Sequence, residues 1–184
     1  MKSKKLAMYV ALLSMTGASW VNAADTLQEG QGTVTFNGKL QNETCRVADD
    51  SKDIIVTLPT LATASLPAAG AEAGTQKFSI NVNSCPPSMS QVAAHFEAIG
   101  SSGMNSATGN LKNSADAATA ANNVEIRLYD FDAKHLALGN SSAPQPVEAG
   151  THTASLAFYG GYYATGATTA GDVLAKAKFT LSYP

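Results

Sequence analysis

The chain has 184 residues, with 12 basic against 14 acidic side chains and a formal net charge of −2. There is no basic excess to grip nucleic acid or an anionic membrane surface. Two cysteines without a matching histidine cluster do not make a zinc site.

The first element is a leader. Lys2, Lys4 and Lys5 precede an apolar run at residues 6–15. That run is half the roughly 20 residues that a bilayer-spanning helix needs. Val21 and Ala23 then stand at −3 and −1 of a cleavage point. The pattern predicts a secretory signal peptide over residues 1–23, cut after Ala23 or Ala24. The remainder is expected to be one domain, with enough chain for a core. It keeps 9 basic against 14 acidic residues. In an exported chain the even cysteine count predicts a Cys45–Cys85 disulfide.

Beyond the leader, strand alternation dominates the chain. Residues 32–40 put Val34, Phe36, Gly38 and Leu40 on one face. Residues 53–58 are a short β-branched run ending at Pro59. Residues 76–85 align Phe78, Ile80 and Val82 and stop at Pro86. Residues 91–99 read as a weaker strand. Residues 123–131 align Val124, Ile126 and Leu128. Residues 151–164 are long and aromatic, with Gly160 and Gly161 marking a bulge or bend. Residues 172–183 form the last strand, with Val173, Ala175, Ala177, Phe179, Leu181 and Tyr183 on one side. The connections at 61–75 and 100–123 are rich in Ala, Gly, Ser and Asn, and the second must pack on the surface of a compact fold. Short strands punctuated by Gly and Pro predict an all-β antiparallel sandwich.

Little in the chain points to bond chemistry. His95, His135 and His152 fall in no metal-ligand spacing, and His95 reads as a strand residue. Asp130 and Asp132 share the i, i+2 spacing of a calcium loop, but the glycine and terminal glutamate of an EF-hand are absent, so a turn is expected. There is no nucleophile elbow and no phosphate-cradling loop. No catalytic, cofactor-binding or metal residue is assigned.

The ends of the chain carry more. A leader is followed by "GTVTFNGKLQNETC", with Gly38 seven residues before Cys45. Cys85 ends an alternating strand 40 residues later. "VEIRLYDFDAKHLALG" and "YYATG" come next in order, Gly171 is fourteenth from the end and Tyr183 is penultimate. In this combination the chain resembles the chaperone–usher pilin family, in particular the major subunit of type 1 fimbriae.

The resemblance implies an incomplete immunoglobulin-like β-sandwich that lacks its final strand. It divides the chain into the signal peptide, a free N-terminal donor extension over residues 24–43 and a pilin domain over 44–184. It places the donor face at Gly32, Val34, Phe36, Gly38 and Leu40. Full burial of Val34, Phe36 or Leu40 would gain roughly 1.5–3 kcal/mol each. The acceptor groove, also bound by the chaperone, would use Gly171, Val173, Ala175, Ala177, Phe179, Leu181 and Tyr183. The implied partners are neighbouring pilin subunits, a periplasmic chaperone, an outer-membrane usher and tip or adaptor subunits, with no cofactor. The implied location is a fimbrium on a bacterial surface. Periodicity alone leaves other readings open. Residues 33–40 would serve as the first strand of a complete sandwich with a turn at Asn37–Gly38. The last strand would pair inside its own domain. Within the family the alternative is a minor or adaptor subunit of the same fibre; outside it, the alternative is a monomeric secreted β-sandwich binding module.

Overall fold

Strands in this chain form wherever apolar residues alternate and a partner strand is in reach. The computed structural model describes residues 33–38 and 44–184. The expected leader, Gly32 and Leu40 lie outside the described residues. The chain divides into two units at residues 40 and 41. In the first unit, residues 33–38 carry neither strand nor helix, and all six are exposed.

The second unit is all-β. Its strands are β1 (Arg46–Val47), β2 (Glu72–Asn83), β3 (Gln91–Ala98), β4 (Leu111–Lys112), β5 (Val124–Tyr129), β6 (Gln145–Pro146), β7 (Ala154–Ala164) and β8 (Ala177–Ser182). They build a five-stranded sheet in the order β1-β2-β7-β5-β4 and a three-stranded sheet in the order β6-β3-β8. All the strand pairs are antiparallel. The inward positions of both sheets meet in one core. Ile80, Val82, Leu156 and Phe158 from the first sheet pack with Val92, Ala94 and Phe96 from the second. Ring edges lock that layer: Phe96 stands edge-on to Phe158 at 5.0 Å and to Phe78 at 6.4 Å. Cys45 and Cys85 are joined by a disulfide in the same core.

Three sequence expectations are revised. Residues 53–58 join no ladder, although their burial still alternates: Ile54, Val56 and Leu58 are half-buried while Ile55 is 85% exposed. β-Branched composition favours a pleated, half-buried surface, but a ladder also needs a partner's backbone. The glycine pair at 160 and 161 does not bulge its own strand, since β7 runs unbroken. The irregularity lies on β2, between Ala73 and Gln76. Thr75 crosses so close to Gly161 that a Cβ there would sit 2.9 Å from its Oγ1. The last ladder begins at Ala177, so residues 172–176 lie outside it.

The long connection at 100–123 packs on the surface. Asn113 ties it to the chain leading into β8. Its Nδ2 donates to the carbonyls of Ala121 and Asp172, and its Oδ1 accepts from the N–H groups of Ala115 and Leu174. The first part of the connection folds over Glu125 of β5. Asn105 Nδ2, Thr108 Oγ1 and Asn110 Nδ2 all donate to that carboxylate, which is 5% exposed.

Candidate functional site: the open edge of the last strand

Every sheet ends in two edges that carry unpaired N–H and C=O groups, and proteins usually blunt them. Three of the four edges here are blunted. β1, β4 and β6 are two residues long, and β6 ends in Pro146. Beyond β1, the edge of β2 is flanked by residues 51–61: Ser51 Oγ accepts the Asn81 N–H, and Leu61 lies against Gly74. The fourth edge is β8, six residues without proline or bulge.

Register shows what that edge presents. Phe96 donates its N–H to Asn140 and accepts from Gly139, and the Ala94 carbonyl accepts from Ser142. Both residues therefore turn their backbone groups away from β8. Their partners, Phe179 and Leu181, sit in non-hydrogen-bonded pairs. The backbone groups of Ala177, Phe179 and Leu181 point to the open side, where no described residue pairs with them. Lys176, one step out of phase, turns inward and accepts from the Ile99 N–H.

The same residues carry the core-facing side chains. Side-chain direction and hydrogen-bond direction both alternate with period two along a strand. Ala175, Ala177, Phe179, Leu181 and Tyr183 all pack against the main core, yet all are only half-buried. Ile54 and Phe78 share that state, while Ile80 on the same face as Phe78 is fully buried. The core is thus thinly covered along β8, where successive inward residues all stay half-buried. Tyr183 lies at the far end. Burial holds its phenol above the usual value, with Thr44 and the Cys45 backbone alongside pulling the other way. On the outer face, Lys178 Nζ reaches Glu97 at 2.8 Å and pins β8 to β3. That contact holds the Glu97 carboxyl below its ordinary range.

The residues expected in the groove separate into two places. Ala175 to Tyr183, taken alternately, lie along the thinly covered core. Val173 packs in a second small cluster with Leu66, Ala121, Val124 and Ala164. Gly171 lies against residues 119–121, where a Cβ would come within 2.4 Å of the Ala121 nitrogen. Of the donor face, Val34 and Phe36 are described and are 74% and 91% exposed, and Gly38 is exposed as well. Ile54 and Phe78 are also left half-buried against the main core, and the sequence does not single them out. Their apolar alternation is visible, but nothing in a single strand shows which part of its face goes uncovered.

The polar residues that could have served chemistry have structural surroundings. Asp130 Oδ1 accepts the N–H groups of Asp132 and Lys134, which makes the 130–134 stretch a turn. His95 sits beside Ser141 Oγ at 3.4 Å and Glu97 at 3.9 Å.

Comparison with known proteins gives the arrangement a context. The family model described as "Fimbrial protein" matches residues 34–184. The major fimbrial subunit SMF-1 of Stenotrophomonas maltophilia (strain K279a) is 39% identical over 170 residues, covering 88% of this chain and 94% of that protein. The F17 fimbrial protein of Escherichia coli is 34% identical over 188 residues, covering 98% and 99%. Among solved structures, a subunit of a chaperone–usher pilus superposes with a TM-score of 0.60 at 20% identity, covering 88% of this chain and all of that one. At that identity the superposition speaks for the fold.

Proposed function

This chain belongs to the fimbrial protein family, and from that premise we propose that its open β8 edge is completed by the N-terminal extension of the next copy. The protein is a structural subunit of a pilus at the cell surface, and its family consists of structural subunits rather than enzymes. Assembly then runs in three steps. Residues 1–23 direct export and are removed. A periplasmic chaperone covers β8 of the domain at 44–184 and hands the subunit to an outer-membrane usher. There the donor extension at 24–43 of the incoming copy takes the chaperone's place, through Gly32, Val34, Phe36, Gly38 and Leu40. Tip or adaptor subunits would join by the same exchange.

One observation carries this reading. Ala177, Phe179 and Leu181, whose backbone groups point to the open edge, are also residues whose core-facing side chains stay half-buried. A strand laid there satisfies the ladder and covers the core in one step, with the ladder giving affinity and alternate side chains giving selectivity. Val34 and Phe36, large and exposed, have the complementary need.

The test is a binding measurement. A peptide of residues 24–43 is expected to bind a subunit shortened to begin at residue 44 and to raise its Tm. At a hundredfold excess over Kd the linked stabilisation is about 2.7 kcal/mol. The same peptide carrying Phe36→Asp is expected to lose the effect. A shortened subunit that stays a stable monomer and ignores the peptide would overturn the proposal.

A further inference from the structure

The sequence contains one Asn-Gly pair, Asn37–Gly38. Such a pair suits a hairpin turn, but the structure places it in no turn and no strand. Both residues are exposed, and a Cβ built on Gly38 would meet nothing within 4 Å. Five asparagines of the folded domain are held differently. Asn81 donates to Asp50, Asn105 and Asn110 to Glu125, Asn113 to two carbonyls and Asn123 to the Ala167 carbonyl. Their amides are oriented by those bonds, and none of them is followed by glycine.

We propose that Asn37 is a site of spontaneous deamidation in the unpolymerised subunit, and that donation of the segment to a neighbour shuts the reaction off. The chemistry needs only water. The Gly38 backbone nitrogen attacks Asn37 Cγ, a new N–Cγ bond forms, the Cγ–Nδ2 bond breaks, and ammonia leaves carrying the Gly38 amide proton. The resulting five-membered succinimide is opened by one water. Attack at Cγ gives aspartate at position 37. Attack at the Asn37 main-chain carbonyl gives isoaspartate, with the chain now running through the former side chain. Ring closure requires the Gly38 nitrogen to swing onto the side chain. Glycine, without a Cβ, gives the backbone that freedom.

The second half of the proposal rests on the donor-strand reading. A segment in a ladder has its torsions fixed in the extended region and its N–H groups committed or enclosed, so Gly38 no longer reaches Cγ. The product matters as well. Aspartate at 37 only adds a charge on the face opposite Val34 and Phe36. Isoaspartate adds one main-chain atom between Phe36 and Gly38. Since register depends on a strict period of two, Leu40 then falls out of phase with Val34 and Phe36. An aged subunit becomes a poor donor, although its own β8 edge is unaltered.

The experiment compares the mature subunit in its unpolymerised periplasmic form with intact fibres, incubated together at mildly alkaline pH. Peptide mass spectrometry reads replacement of the amide by a carboxylate at each asparagine. In the unpolymerised subunit Asn37 is expected to convert at least about tenfold faster than Asn81 or Asn110, and Gly38→Ala to slow it about tenfold. In fibres the conversion is expected to fall by a similar factor. Fibres assembled from an aged pool are expected to hold less isoaspartate at 37 than the pool itself. An Asn37 no faster than Asn81, or a Gly38→Ala subunit that reacts at the same rate, overturns the deamidation site. Rapid conversion at equal rates in subunit and fibre leaves the chemistry standing and overturns both the shielding and the donor assignment beneath it.

Discussion

Glu125 shows how much one side chain depends on its cover. It sits on β5 in phase with Arg127 and Tyr129, a position that in sequence looks like the wet face of a strand. The 105–110 stretch folds over it, so the carboxylate accepts from three donors at 5% exposure. Replacing Glu125 by Gln turns one acceptor oxygen into a donor that faces other donors. The expected cost is about 1–3 kcal/mol, the range for a buried polar group left unmatched, read as a lower midpoint in urea unfolding. An unchanged midpoint would show that the network is not part of the folded core's stability. This residue is illegible in the sequence for a physical reason. Alternation reports which face of a strand a residue occupies, but it does not say whether a loop fifteen residues away will return to cover that face. Phe78 is the opposite case. Its alternation with Ile80 and Val82 correctly places it inward, yet it is only half-buried, which the alternation does not show. Asn113 is similar to Glu125: its four hydrogen bonds organise a loop whose composition alone looks featureless.

At the scale of elements, the long strands are legible in the sequence and the short ones are not. β2, β3, β5, β7 and β8 each track a visible period-two run, shifted at their ends. β1, β4 and β6 have two residues apiece, too few to show any period. They exist because a neighbour's edge is at hand. The last strand carries two predictions. Glu97 and Lys178 link β3 to β8 across their outer face. The folded-state pKa of Glu97 is depressed from its ordinary 4.5. Its contribution is therefore present above that value and lost as pH falls through the lowered one. Amide protection at β8, corrected for the intrinsic pH dependence of exchange, is expected to fall over that acid interval, and Glu97→Gln to flatten the dependence. A β8 whose protection factors have the same pH dependence in both proteins would show that the link does not hold the strand. Deleting residues 179–184 is the coarser test. It takes Phe179 away from Phe96 and strips one side of β3. Periplasmic subunit is expected to disappear, as judged by immunoblot of cell fractions, because the core and the proposed chaperone both lose their strand. Normal accumulation would mean that capture does not use β8.

For the whole molecule, the disulfide offsets what the thin side of the core lacks. Cys45 and Cys85 close a loop across a separation of 40 residues. Restricting the unfolded chain in that way contributes about 4 kcal/mol on the chain-entropy estimate. For a subunit not yet completed by a neighbour, that is a large fraction of the roughly 5–15 kcal/mol typical of a domain. Replacing both cysteines with alanine is expected to lower the Tm of the isolated subunit markedly, by thermal denaturation. Fibres already assembled are expected to tolerate reduction better, since the added strand supplies stability of its own. Equal losses in subunit and fibre would argue against completion by a neighbour.

The one edge left unblunted among the described residues also fixes the arithmetic of assembly. A copy with one vacancy and one segment to lend has a valence of two, and the two valences are unlike. Joined in the proposed way, such copies form an unbranched line with a direction. One terminus always presents an unfilled vacancy and the other an unspent segment. The line lengthens without closing into a ring as long as successive copies are not turned back on the first. Its length is then set by supply, and by whatever capping partner satisfies one end without offering the other.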